Sequence, residues 1–157
     1  MVNNNIDNKV VDDFGKEWKA FNHQGLENNA LKSAFDSYFH FFPFNDLKDA
    51  EGFDMGCGSG RWAQFVAKKV GFLNCIDPSH LALDQARLNL VDAVNCSLEC
   101  AGVDNNSLKD DSQDFGYSLG VLHHIPDTTL ALQSCSKKLK SGAPFLLYLY
   151  YRFDNKP

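Results

Sequence analysis

Apolar residues between positions 26 and 42 recur at intervals of three and four: Leu26, Ala30, Leu31, Ala34, Phe35, Tyr38, Phe39 and Phe42 share one face of a helix. The spacing predicts an amphipathic helix, ended by Pro43, which lacks the N–H needed for a further turn. Beyond it the period changes. Short apolar runs over 53–56, 72–77, 94–100, 115–122 and 145–151 read as strands. The stretches 61–70, 79–90 and about 128–139 between them read as helices. Such alternation predicts β-α-β units, and hence an α/β fold: a three-layer, Rossmann-like, doubly wound sheet, mostly parallel, of about five strands. Ser79 after Pro78 reads as a helix N-cap, and 140–144 (Lys-Ser-Gly-Ala-Pro) as a helix exit and turn.

The glycine-rich segment Asp54-Met-Gly-Cys-Gly-Ser-Gly60 falls where the first strand meets the first helix of this pattern. Glycines there let the chain turn sharply and approach a ligand closely, and N–H groups at the turn attract an anionic group. A dinucleotide loop wants G-x-G-x-x-G, but position 61 is Arg, so NAD requires the shifted pattern Gly58-x-Gly60-x-x-Ala63. Asp54, two residues before Gly56, repels phosphates and favours a cationic ligand. Asp77 closes the second strand, where a carboxylate can accept both hydroxyls of a ribose. Together these features favour S-adenosylmethionine over NAD.

The chain resembles the class I S-adenosylmethionine-dependent methyltransferases of the methyltransferase type 11 group. The resemblance runs over about residues 12–157 and is carried by 54–62, 76–79, 114–127 and 137–143. It implies that Asp54, Gly56, Cys57, Gly58 and Gly60 hold the methionine part of the cofactor, and that Asp77, with Pro78 beside it, takes the ribose. Gly102 and Val103 fall at the adenine positions. The acid usual there is missing, and Asp104 is its nearest substitute. The turn at Leu119 and Gly120 borders the methyl group, and His123 is the candidate base. Trp18, in Phe14-Gly-Lys-Glu-Trp18, matches an aromatic-bearing lid. The fold of this group has seven strands, so the resemblance implies one domain over 1–157, with lid helices about 10–45 and a core about 50–157 incomplete at its C-terminus. It also implies methyl transfer to a small-molecule acceptor, with S-adenosylhomocysteine as product. The alternative is a cofactor-binding module without catalytic activity that assembles through its open edge strand.

Composition narrows the remaining choices. There are 15 Lys+Arg against 20 Asp+Glu, a net charge of −5, and no basic run beyond the pairs at 68–69 and 137–138. That argues against nucleic acid as a partner. The 44% of hydrophobic residues in 157 suits a single core. No apolar run reaches the roughly 18 residues of a membrane span. Five cysteines, odd in number and without C-x-x-C, suit reduced thiols in the cytoplasm and offer no metal-ligand spacing with His123 and His124. Arg61 reads as a surface charge or half of an ion pair. Tyr148, Tyr150, Tyr151 and Phe153 largely alternate as a strand does, which assigns them to packing. The uncharged run 145–151 is the expected edge for a homo-oligomer.

Overall fold

The computed structural model describes residues 5–13 and 28–150. Trp18 and the rest of 14–27, the start of the first long predicted helix, and residues 151–157 lie outside the described residues.

A short helix, α1, covers residues 8–13. It is followed by α2 (Asn28–Tyr38), β1 (Glu51–Met55), α3 (Ala63–Val66), β2 (Phe72–Asp77), α4 (His80–Asn89), β3 (Cys96–Cys100), β4 (Phe115–Leu119), α5 (Thr128–Lys138) and β5 (Phe145–Tyr148). The five strands form one parallel sheet in the order β3-β2-β1-β4-β5. β1 is therefore central, and the order reverses beside it, between β1 and β4. A crevice at the C-terminal ends of the strands is the usual consequence of such a switch point.

The period of two fixes what each face buries. Register aligns Asp54 with Cys75 and Tyr117, and Gly52 with Leu73 and Phe115, on one face. There Phe35 of α2, Phe39 in the turn just after it, Val66 of α3 and Leu83 of α4 pack into one core. Phe53, Met55 and Ile76 point the other way, against Ala131 and Cys135 of α5. Two glycines make this close fit possible. A Cβ on Gly52 would lie 2.5 Å from the Phe115 ring, and one on Gly116 would lie 2.4 Å from Phe53 Cζ. Each aromatic ring thus fills the space above its register neighbour's missing side chain.

The predicted elements are present, with shorter bounds where local chemistry intervenes. The helix expected over 61–70 is reduced to α3 followed by a 3-10 turn, Ala67–Lys69, and extended Val70 then turns the chain toward β2. Gly120, at φ +76°, ends β4 early, and a second 3-10 turn, Leu122–His124, follows. Ser79 caps α4 as expected, accepting the Ala82 N–H at 3.3 Å. Asp127 caps α5 in the same way through the Leu130 N–H at 2.9 Å.

Candidate functional site

A cavity of about 420 Å³ opens at the C-terminal ends of the central strands. Its floor is the loop after β1, one side is the end of β2 with Asp77 and Pro78, and the other is the turn after β4. The loop is held by its own amides. Gly56 and Cys57 donate to the Ile76 carbonyl at 2.8 and 3.1 Å, Gly60 donates to the Cys57 carbonyl at 2.9 Å, and Gly58 donates to Asp77 Oδ2 at 2.8 Å. The expectation that these N–H groups wait for an anionic ligand is therefore corrected: four of them serve the loop's shape.

Asp77 ties two elements together. Besides Gly58, its Oδ1 accepts the Ser79 N–H at 2.8 Å, which fixes the start of α4. Burial raises its carboxyl above the ordinary value, and the two amides work against that rise. Each oxygen uses one lone pair on a backbone amide and keeps the other for a hydroxyl donor.

Asp54 is not among the residues lining the cavity. It lies under the loop, 2% exposed, and its Oδ2 has no hydrogen-bond partner among the described residues. Burial pushes its carboxyl up to about 8, the adjacent Tyr117 hydroxyl acts in the opposite direction, and the Asp77 carboxylate adds to the rise. Between the ordinary carboxylate value and about 8, the folded chain holds a proton that the unfolded chain has released. The stability tied to Asp54 therefore falls as pH rises through that window and levels off above it. Asparagine has no such proton. In urea unfolding, the stability of Asp54→Asn relative to the parent chain is expected to grow from pH 5 to pH 8 and then hold constant. A difference independent of pH would mean that Asp54 is ionised in the fold.

At the far side of Asp77, Gly102 and Val103 line the cavity and Ile6 covers them. A Cβ on Gly102 would lie 2.8 Å from Ile6 Cδ1, so the place where an acidic side chain was expected is filled from the N-terminus. Asp104 does not line the cavity, and its Oδ2 accepts the Asn5 N–H at 3.4 Å. The Asn5 side chain pairs reciprocally with the backbone of Asp127, donating to its carbonyl and accepting its N–H, both at 2.8 Å. Residues 5–13 are thereby fastened across the cavity mouth. Neither Asn5 nor Ile6 carried a signal in the sequence, where both belong to a polar, Asn-rich start.

A model of a methyltransferase domain matches residues 53–147. The chain belongs to that methyltransferase family. The resemblance to class I S-adenosylmethionine-dependent methyltransferases drawn from the loop and from Asp77 therefore holds. The chain is 32% identical over 111 residues to a tRNA U34 carboxymethyltransferase of Aliarcobacter butzleri, covering 67% of this chain and 35% of that protein. It is 28% identical over 99 residues to a ubiquinone biosynthesis O-methyltransferase of Nitrosomonas europaea, covering 61% and 42%. The chain thus spans well under half the length of these curated relatives. Among solved structures, an Aquifex aeolicus SAM-dependent methyltransferase superimposes with a TM-score of 0.61 at 18% identity, over 84% of this chain and 78% of that one. Haemonchus contortus phosphoethanolamine N-methyltransferase 1, solved with phosphoethanolamine and S-adenosylhomocysteine, does so with a TM-score of 0.68 at 14% identity, over 86% and 31%.

The methyltransferase domain brings most of the expected residues to one place. Gly56, Cys57, Gly58, Asp77, Pro78, Gly102, Val103, Leu119 and Gly120 line the cavity, whereas Gly60 lies outside its lining, facing Leu90 and Ala86 of the α4 region. Of the two histidines, His124 lines the cavity and His123 does not. The His123 ring lies against Tyr150, with centroids 4.4 Å apart, and neither of its nitrogens has a hydrogen-bond partner among the described residues. Burial lowers both histidines below the ordinary value, which favours the neutral ring in each. The Cys75 thiol pulls Cys57 down, but burial and the carboxylates of Asp54 and Asp77 outweigh it and push the Cys57 thiol up to about 11. Cys57 is therefore a thiol, not a thiolate nucleophile, at neutral pH.

Proposed function

We propose that this chain transfers the methyl group of S-adenosylmethionine to a small-molecule acceptor. The observation that carries this reading is the cavity itself, floored by the Gly56–Gly58 turn and walled by a buried carboxylate at the end of β2. The residues fit the cofactor. Asp77 has acceptor capacity left for ribose hydroxyls, and Val103, Pro78 and Ile6 offer apolar surface for a flat base. When bound, the cofactor supplies a methyl group on a sulfonium, ready for in-line attack.

The chain's own contribution is orientation and exclusion of water. Residues 5–13, latched at Asp127, cover the mouth, while Leu119 and Gly120 border the space left for an acceptor. His124 lines the cavity and burial favours its neutral ring, which suits it to accept a proton from an acceptor hydroxyl or amine. His123 then packs behind the site on Tyr150. The free cysteines accord with a cytoplasmic setting.

The test is a transfer assay with methyl-tritiated S-adenosylmethionine and a cell extract split into small molecules, RNA and protein. Tritium is expected in a small-molecule product separated from unreacted S-adenosylmethionine, and that product is expected to be lost with Asp77→Ala. Label confined to RNA or protein would overturn the acceptor class.

A further inference from the structure

Asp54 is a buried acid that neither the cavity lining nor the bonding of the glycine loop employs. It is 2% exposed, and its Oδ2 has no hydrogen-bond partner among the described residues. Its strand nevertheless runs directly into Met55 and Gly56, which do line the cavity. A carboxyl placed in this way, out of water and with one oxygen unpaired, favours its neutral form.

Titratable groups face it from several elements. Cys75 of β2 and Tyr117 of β4 are its register neighbours, Cys96 stands on β3, Cys57 in the loop above, Asp77 at the end of β2, and Arg61 just past the loop. Burial opposes the Asp54 carboxylate most, Tyr117 and Arg61 favour it, and Asp77 and Cys96 oppose it. The three thiols and the Tyr117 hydroxyl keep their protons at neutral pH. That leaves Asp77 and Arg61 as the charges that act on Asp54, and both residues line the cavity. A charge seated in the cavity therefore stands among the groups that move the Asp54 proton.

We infer that Asp54 reads the charge of the cofactor: protonated in the unliganded chain, it gives its proton to solvent when S-adenosylmethionine binds and regains one when S-adenosylhomocysteine is left. S-adenosylmethionine carries a sulfonium and an ammonium against a single carboxylate, so it brings net positive charge, which favours the Asp54 anion. When the methyl leaves, its bonding pair stays on sulfur, the thioether is neutral, and that charge is gone. The proton regained equals the proton released, so the cycle balances. Asp54 is thus a specificity residue that acts through charge without lining the site. The preference for S-adenosylmethionine over the product grows as pH rises and stops growing above about 8, where the unliganded chain has lost the proton too. The inference rests on the cofactor reading.

The test is calorimetry of the whole chain at pH 6.5 in PIPES and in imidazole, whose different heats of ionisation count the protons exchanged per ligand bound. S-adenosylmethionine is expected to release about one proton, and S-adenosylhomocysteine clearly fewer. Between pH 6 and pH 7 the affinity for S-adenosylmethionine relative to S-adenosylhomocysteine is expected to rise about three- to tenfold. In Asp54→Asn both the difference in proton count and the rise in relative affinity are expected to vanish. The ligands titrate alike against both chains, so their own protons cancel in this comparison. Binding with no proton release, or with equal release for the two ligands, leaves the cofactor reading in place and overturns the inference, and the parent chain alone reads both. A difference that persists in Asp54→Asn also overturns it. Absence of binding by either ligand removes the cofactor reading itself, and the inference with it.

Discussion

Asp77→Ala is expected to weaken S-adenosylhomocysteine binding by about ten- to a hundredfold, the effect of hydrogen bonds to a charged group. Two losses combine in this variant. The ribose hydroxyls lose their acceptor, and the glycine loop loses the bond from Gly58 N–H to Oδ2 that ties it to the end of β2. Asp77→Asn keeps one acceptor oxygen, so its affinity is expected between those of the alanine variant and the parent. Calorimetry on chains with matched circular dichroism spectra reads both effects. Unchanged affinity in Asp77→Ala would remove the ribose assignment.

Gly56→Ala is expected to cost about 2–5 kcal/mol of stability, from a left-handed backbone and an overfilled contact. Gly56 has φ +80°, a region an L side chain enters at a cost, and its Cβ would sit 2.4 Å from Val121 Cγ1. The two causes separate by a second substitution. Val121→Ala beside Gly56→Ala relieves the steric contact but not the backbone strain, so only part of the loss is expected to return in urea unfolding. A single Gly56→Ala variant as stable as the parent would mean that the loop adopts another path.

The features legible in the sequence were those whose cause is local. β2 matched its predicted limits because 72–77 is a compact apolar run between Gly71 and Pro78. Ser79 could be read as a cap because capping involves residues three apart. The glycine loop and Asp77 were legible for the same reason, as spacings along one strand-turn-helix unit. Features set by distant neighbours were not. Asn5 meets Asp127 across 122 positions, and nothing in the polar start of the chain foretold that pairing. The spacing along the chain makes Asp54 a cofactor ligand, but the register that places it beside Cys75 and Tyr117 sets it beneath the loop. The choice between His123 and His124 turned on the phase of a 3-10 turn after Gly120, where the strand had been expected to run on. Tyr148 and Tyr150 read as strand packing, and only the fold shows them sharing a wall with Tyr38 and Trp62.

The cavity over Gly56–Gly58 and Asp77 is proposed to hold S-adenosylmethionine. Isothermal titration of the purified chain with S-adenosylmethionine, S-adenosylhomocysteine and NAD, run in parallel, tests it most directly. Saturable binding of the first two at one site, with none of NAD, is the expected result. Binding of NAD alone, or of none of the three, would contradict it.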